Sequence, residues 1–313
     1  MEIIRIDETS MSEPRVAVPD SAVAIGNFDG LHKAHMTLLD TVKNIRRLTP
    51  SVFTFDLRRS DCLTTTEEKL ALMENYGIER VFLAHFDSLR DMSCDKFVST
   101  VLRNCGCAAV VCGFNFRFGK GAAGDSSLLA SLSEKYGIEQ ITLPACKYNG
   151  CIISSSEIRK RLASGSCDDV TAMMGRPFFI EGTVEHGYSE GKKLVPTLNI
   201  EYPEKAMPEH GVYITVCESD GRMLAGVSNV GYNPTIRKNH VTCETNLLFD
   251  SGDFYGKKVR IFFLRFLRPE KKFADIAQLK EAIMNDVERA KKFHTEASGM
   301  IGSLVSGGLS DRG

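Results

Sequence analysis

Two histidines, His32 and His35, stand three residues apart in the stretch VAIGNFDGLHKAHMTLL, where a helical pattern begins. That spacing puts both imidazoles on one face of a first helical turn. Before them, the small apolar residues 23–25 suit a buried parallel strand, and Gly26 and Gly30 suit a turn. A strand end, a glycine turn and a helix N-terminus together favour phosphate, because free backbone N–H groups and the helix dipole attract an anion. The stretch therefore indicates a phosphate site to which the histidines add hydrogen-bond donors.

Taken alone, the histidine pair is more typical of exposed residues on an amphipathic helix. A metal pair is a second alternative, although no Cys, Asp or Glu at ligand spacing completes a site nearby. The strand and the glycine turn in front of the pair favour the phosphate interpretation.

A family resemblance adds to this interpretation. The string GNFDGLHKAH resembles the GxFDGxHxGH motif of the nucleotidyltransferase superfamily, and in particular the adenylyltransferase half of the prokaryotic bifunctional riboflavin kinase/FAD synthetase family. The resemblance implies that Gly26, Phe28, Asp29 and Gly30 contact ATP. Ala34 stands where the family has glycine.

A second stretch, ISSSEIRKR, opens another helical pattern with hydroxyl residues. Ser154, Ser155 and Ser156 supply donors and an N-cap, and Arg159 follows about one turn later, where its guanidinium can grip phosphate. An ordinary capping box before a basic helix face is the alternative. The string is similar to the family's ISSTxIR motif, which implies that His32, His35 and Arg159 stabilise the triphosphate as pyrophosphate leaves.

The loop GFNFRFGKGAAGD carries phenylalanines at alternate positions among glycines. One interpretation is a hydrophobic plug that caps the sheet, and the other is a loop that approaches a flat ligand. The loop is similar to the family's GxDFRFG segment, with Asn115 in place of Asp. The resemblance implies that Asn115, Phe116, Arg117 and Phe118 bind the flavin.

In the second half, Thr197 and Asn199 lie two residues apart in the strand-like run PTLN, so their side chains point to one face. They could share a metal ion or a phosphate, and Glu244 on a later strand could act as a general base. From spacing alone, ordinary polar strand residues and a solvated glutamate are favoured.

The strings GRPFFIEGTVEHG, PTLN, SNVGYNPTI and ETNLLFD together resemble a full riboflavin kinase domain. The resemblance implies that Thr197 and Asn199 bind Mg²⁺ and ATP and that Glu244 deprotonates a ribityl hydroxyl. Two departures are present: the loop before Pro196 is one residue short, and Asn246 stands where the family has histidine. They leave open an adenylyltransferase whose barrel no longer catalyses, and a flavin sensor without catalysis.

The elements that position these residues follow two different patterns. Strand-like runs alternate with helical ones in the first half, at residues 3–6, 23–25, 52–55, 81–84, 108–112 and 139–143. This alternation predicts a doubly wound parallel α/β sheet with ligands at the carboxyl ends of its strands. Later strand-like runs follow one another without helices, at residues 178–184, 195–200, 211–217, 223–230, 241–249 and 258–266. They predict an antiparallel β-barrel followed by a helix over residues 276–293.

Length and composition agree with two domains. From 313 residues we predict an adenylyltransferase domain over residues 1–160, a helical connector over 161–175, a riboflavin kinase barrel over 176–298 and a flexible tail over 299–313. A net charge of −1 gives no excess of positive charge that would indicate binding to nucleic acid or to an anionic membrane. The ten scattered cysteines suit free buried thiols in a reducing cytoplasm. We therefore expect a cytoplasmic monomer or weak homo-oligomer that uses riboflavin, FMN, ATP and Mg²⁺.

Overall fold

The computed structural model describes residues 1–6, 21–56, 59–185, 197–232, 241–250 and 252–306, with the backbone alone from residue 298. The chain divides into two compact units. The first comprises residues 1–59 and 64–155, and the second comprises residues 60–63 and 156–313. The predicted connector and the boundary near residue 160 stay predictions.

A six-stranded sheet forms the centre of the first unit. Its strands are β1 (Glu2–Ile6), β2 (Ser21–Ile25), β3 (Thr49–Asp56), β4 (Arg80–His85), β5 (Cys107–Gly113) and β6 (Glu139–Leu143). Their order is β1-β4-β3-β2-β5-β6, and every neighbouring pair is parallel. The alternating pattern of the first half therefore predicted this sheet correctly.

Helices and a small hairpin connect these strands. The helices are α1 (Lys33–Asn44), α2 (Thr66–Asn75), α3 (Phe86–Leu89), α4 (Cys94–Lys96), a π-helical segment (Phe97–Leu102), a 3-10 turn (Lys120–Ala122) and α5 (Ser126–Lys135). The hairpin strands are β7 (Lys147–Tyr148) and β8 (Cys151–Ile152). Two further helices, α6 (Ser155–Ala163) and α7 (Cys167–Met174), precede the second sheet.

The strand order reverses beside β2, which lies between β3 and β5 and is buried along its whole length. Val23 and Ile25 pack with Phe53, Phe82 and Val110 in the main apolar cluster of this unit. At such a reversal the connections leave in opposite directions and open a crevice beyond the carboxyl ends of the strands, where ligands bind in open α/β sheets. The loops that follow β2 and β5 both start at this crevice.

The second unit contains an antiparallel barrel that is nearly closed. Its strands are β9 (Phe178–Thr183), β10 (Leu198–Glu201), β11 (Gly211–Ser219), β12 (Arg222–Tyr232), β13 (Val241–Leu247) and β14 (Lys258–Pro269). The sheet has the order β10-β13-β12-β11-β14-β9. Its two edges meet where the N–H of Glu185 donates to the carbonyl of Asn199 at 2.8 Å. This arrangement confirms the predicted barrel.

The final helix, α8 (Ile276–Ser306), packs against the outside of the barrel. Ala290 and Phe293 contact a cluster formed by Val212, Ile214 and Val227. The predicted end near residue 293 is wrong, and the helix continues into the predicted tail. A glycine inside a helix costs only about 1 kcal/mol relative to alanine, so Gly299 does not stop it.

The cysteines agree with a further prediction. None of the ten cysteines, all of which the structure describes, forms a disulfide, and seven of them are buried. Burial raises the pKa of Cys167, Cys217 and Cys243 to about 12, which keeps these thiols protonated and unreactive. Within the described part of the chain, no helix is both long enough and apolar enough to cross a membrane.

An ion pair between β14 and α8 gives a first testable prediction. Both Nε and Nη2 of Arg268 contact one carboxylate oxygen of Asp286, at 2.9 and 2.8 Å, and Asp286 is 4% exposed. The variant Asp286→Ala leaves the guanidinium without this partner, so we expect a loss of roughly 1.5–3 kcal/mol in the free energy of unfolding. Urea denaturation monitored by circular dichroism measures that loss.

Glu288→Ala provides the matched control on the same helix. Glu288 pairs with Lys291 at 3.4 Å, but its side chain is 72% exposed. Exposed pairs of this kind contribute about 0–1 kcal/mol. Equal losses in the two variants would show that the Arg268–Asp286 pair does not help to hold the helix on the barrel.

Candidate active sites

The turn after β2 has an unusual backbone. Phe28 (φ 51°) and Leu31 (φ 34°) have positive φ without being glycine, and both side chains are buried. Gly30 has a φ of 83°, which glycine adopts without steric cost. Strained backbone of this kind costs about 1–3 kcal/mol per residue and concentrates at functional sites. Burial of the Phe28 and Leu31 side chains holds the turn in this shape.

The two predicted histidines lie together where this turn meets α1. His32 is the N-cap residue, and its Nδ1 accepts a hydrogen bond from the backbone N–H of His35 at 3.4 Å. Their rings stack with centroids 3.6 Å apart and planes 13° from parallel. The ring of Phe28 lies 5.0 Å from that of His35 and supports it. The structure therefore brings both imidazoles to the helix N-terminus, as the spacing predicted.

Several residues that are predicted to contact ATP make contacts within the protein. The N–H of Gly30 donates to Thr64 Oγ1 at 3.0 Å, and the N–H of Thr64 donates to Asp29 Oδ1 at 3.2 Å. Ser155 Oγ donates to the carbonyl of Asp29 at 2.9 Å. In this structure Asp29, Gly30 and Ser155 fix the shape of the turn.

Sequence reasoning missed Thr64 and Lys69 altogether. The Lys69 side chain is 4% exposed, and its Nζ donates to Phe55 O at 2.7 Å, to Thr54 Oγ1 at 3.1 Å and to Asn27 O at 3.3 Å. In the sequence, this lysine looks like an ordinary solvated residue of a helix that begins TEEK. Only the tertiary fold shows that it points inward, beneath the turn.

The serine stretch forms the start of α6. Ser154 directly precedes the helix, and Ser156 in its first turn is exposed. Arg159 lies one turn further along, with its Nε 3.7 Å from Asp61 Oδ2. That separation and the 51% exposure of Asp61 make this a loose ion pair, which an incoming phosphate could displace.

The phenylalanine loop after β5 serves two purposes. Phe118 is 6% exposed and packs in the apolar core, as the plug interpretation predicted. The ring of Phe116 stacks on it at 5.7 Å and 13°, and this residue is only partly buried. Asn115 and Arg117 are exposed. The partly exposed Phe116 is therefore better placed than Phe118 to contact a flat ligand.

On the barrel, strand register brings the second predicted site together. Asn199 Nδ2 lies 3.1 Å from the carbonyl oxygen and 3.5 Å from Oγ1 of Thr197. Asn199 is directly opposite Glu244, and Asn229 is opposite Glu244 on the other side. Cross-strand partners have Cβ atoms about 4.5–5.5 Å apart, so these three side chains form one row. Asn229 is a member that sequence reasoning missed.

Glu244 stands between Asn199 and Asn229 in this row. The residue is partly buried, and among the residues that the structure describes its carboxylate has no hydrogen-bond or ion-pair partner. Asn246 lies two residues further on the same strand and points to the same face. Residues 191–196, which include the shortened loop, lie outside the described residues.

Comparisons with known proteins match each half of the chain to a family. Residues 16–157 match the family described as FAD synthetase, and residues 174–294 match the family described as riboflavin kinase. A solved structure titled as a macrolide-efflux protein from Streptococcus pneumoniae superposes with a TM-score of 0.81 over 93% of this chain and 99% of that one. At 24% identity, this similarity concerns the fold alone.

Two bacterial proteins named bifunctional riboflavin kinase/FMN adenylyltransferase are similar along nearly their whole length. The Pseudomonas fluorescens protein is 32% identical over 284 residues, covering 85% of this chain and 91% of the relative. The Bacillus subtilis protein is 30% identical over 296 residues, covering 87% and 92%. With both halves matched in the same order, the chain belongs to the bifunctional riboflavin kinase/FMN adenylyltransferase family.

Proposed function

We propose that this chain carries out both reactions of its family: ATP-dependent phosphorylation of riboflavin to FMN, and adenylylation of FMN to FAD. The observation that carries the proposal is that each half matches one family and also holds a site with suitable chemistry. The first unit offers stacked histidines at a helix N-terminus. The barrel offers a carboxylate beside an amide.

In the kinase reaction, Glu244 accepts a proton from the terminal ribityl hydroxyl as that oxygen attacks the γ-phosphorus of ATP. The new O–P bond forms while the bond to the bridging oxygen breaks, and ADP leaves. Thr197 and Asn199 present a hydroxyl and an amide carbonyl beside the carboxylate, a donor set of the oxygen type that Mg²⁺ prefers. A bound Mg²⁺ would neutralise charge on the β- and γ-phosphates.

A magnesium ion that arrives with ATP needs few ligands from the protein. Among the described residues, no group of three or more His, Cys, Asp or Glu side chains could hold a metal ion. Magnesium that arrives with ATP is typically held by one or two protein groups together with substrate phosphates. In this proposal Thr197 and Asn199 would be those protein groups.

In the adenylyltransferase reaction, a phosphate oxygen of FMN attacks the α-phosphorus of ATP. A phosphoanhydride bond forms, the α–β bridging bond breaks, and pyrophosphate leaves. The FMN phosphate is already ionised, so the step needs stabilisation of charge rather than a strong base. His32, His35 and Arg159 would supply it, with the hydroxyl of Ser156. Asn115, Phe116 and Arg117 would contact the flavin.

Two separate incubations test the proposal. Riboflavin with ATP and Mg²⁺ should give FMN and then FAD, and FMN with ATP and Mg²⁺ should give FAD and pyrophosphate. Flavin chromatography and a pyrophosphate assay measure the products. FAD formation from FMN without any FMN formation from riboflavin would replace the proposal by an adenylyltransferase with a non-catalytic barrel. Flavin binding without turnover of either substrate would indicate a sensor.

A further inference from the structure

A buried lysine lies beneath the turn that carries the histidine motif. Lys69 is 4% exposed, and its ammonium donates to the carbonyls of Asn27 and Phe55 and to the hydroxyl of Thr54. Thr54 is itself fully buried, and its hydroxyl donates to the same Asn27 carbonyl at 3.1 Å. Lysine is among the residue types least often buried, because removing an ammonium from water is costly. Burial of Lys69 therefore has a cost in free energy, which indicates that the buried ammonium has a function.

Thr64, five residues before Lys69, contacts the other end of this turn. Thr64, 6% exposed, accepts from the N–H of Gly30 through its hydroxyl and donates its own N–H to the carboxylate of Asp29. Between the two contacts, Thr65 and Glu68 form a reciprocal capping box that fixes the first turn of α2. Residues 64–69, which we call the clamp segment, thus hydrogen-bond to the turn before His32 at two places. One is Asn27, and the other is Asp29–Gly30.

We propose that the clamp segment positions the phosphate-binding turn of the adenylyltransferase site, with Lys69 as its main positioning residue. The two contact points lie on either side of Phe28, whose φ of 51° is uncommon for a residue other than glycine. Because the turn leads directly into His32 at the N-cap, its shape sets where the stacked imidazoles and the helix N-terminus lie. The ammonium also adds positive potential beneath the site that receives a triphosphate.

This inference rests on the proposed adenylyltransferase function, and it differs from a purely structural role in a measurable way. If Lys69 only stabilises the fold, its loss lowers the fraction of folded enzyme, and each folded molecule keeps the normal affinity for ATP. If Lys69 positions the turn, folded enzyme binds ATP less tightly. A displacement of about 1 Å in such a site can cost about 100-fold in rate.

Lys69→Met is the main variant, because methionine keeps much of the stem and removes the donors. Thr64→Val is a second variant that keeps the side-chain shape and removes the hydroxyl that Gly30 contacts. Lys43→Met is the matched control: Lys43, in the last turn of α1, also donates to a backbone carbonyl of this unit, that of Tyr76 at 2.7 Å, but its side chain is exposed. Thermal unfolding establishes the folded fraction of each protein.

For Lys69→Met at a temperature where it is folded, we expect kcat/KM for ATP in the FMN reaction to fall by about 10- to 100-fold. Equilibrium binding of ATP without FMN should weaken in parallel. Thr64→Val should show a smaller loss of the same kind, and Lys43→Met should stay within about twofold of the wild type. If Lys69→Met does not fold, the same comparison is made with Thr64→Val.

Unchanged ATP affinity and unchanged kcat/KM in a folded clamp variant would overturn the inference. Failure of the proposed function is a different result: the wild-type protein itself would make no FAD from FMN. Because ATP binding is measured without turnover, the ATP affinities of the clamp variants and the wild type can still be compared in that case.

Discussion

Replacing His32 with asparagine and His35 with alanine together should reduce FAD formation from FMN by about 1,000-fold or more, since removing one preorganised donor typically costs 100- to 1,000-fold. Asparagine is chosen at residue 32 because the His32 side chain also caps α1, and asparagine is among the best N-cap residues. The helix then keeps its start while both imidazoles are lost. The loss can therefore be assigned to missing charge stabilisation rather than to a frayed helix.

The measurement is the rate of pyrophosphate release with FMN, ATP and Mg²⁺. Thermal unfolding of the same preparation establishes how much of the enzyme is folded. His85→Ala is the matched control, because His85 belongs to the same unit but is 59% exposed and lies 3.9 Å from Asp56. If the histidine double variant stays within tenfold of the wild type, the role given to the imidazoles is wrong.

The architecture could be predicted because hydrophobic pattern and spacing carry most of its information. The fully buried residues of β2 read as an uninterrupted small apolar run, which is typical of a strand covered on both faces. The six barrel strands could be found because glycine and asparagine turns separate them without helical periodicity. The end of α8 was missed because Gly299 and the serines after it look like a stop, whereas a long helix tolerates them.

The sites were only partly predictable, and the reason is tertiary structure. His32 and His35 could be placed because a strand, a turn and a helix adjoin them in sequence. Lys69 could not be placed, because its contacts join residues 14 and 42 positions away. Nothing in the local pattern distinguishes that lysine from a solvated one. Likewise, Asn229 enters the kinase row only through the register of β12 on β13.

Glu244→Gln should nearly abolish phosphorylation of riboflavin, with a fall in kcat of about 100- to 10,000-fold, the usual contribution of a general base. Glutamine has the shape of glutamate, so the row with Asn199 and Asn229 is preserved. It cannot accept the proton of the ribityl hydroxyl. Because the carboxylate has no partner among the described residues, its neutralisation leaves no buried charge uncompensated, and we expect the thermal midpoint to change little.

The kinetic measurement separates this role from substrate binding. A base that acts only in the chemical step lowers kcat and leaves KM for riboflavin nearly unchanged, whereas a binding contact raises KM. Glu218→Gln is the matched control, since Glu218 is also a barrel carboxylate but pairs with Arg260 at 3.1 Å. Its kcat should stay within about twofold of the wild type. A Glu244→Gln enzyme as fast as the wild type would mean that phosphoryl transfer in this barrel needs no base at this position.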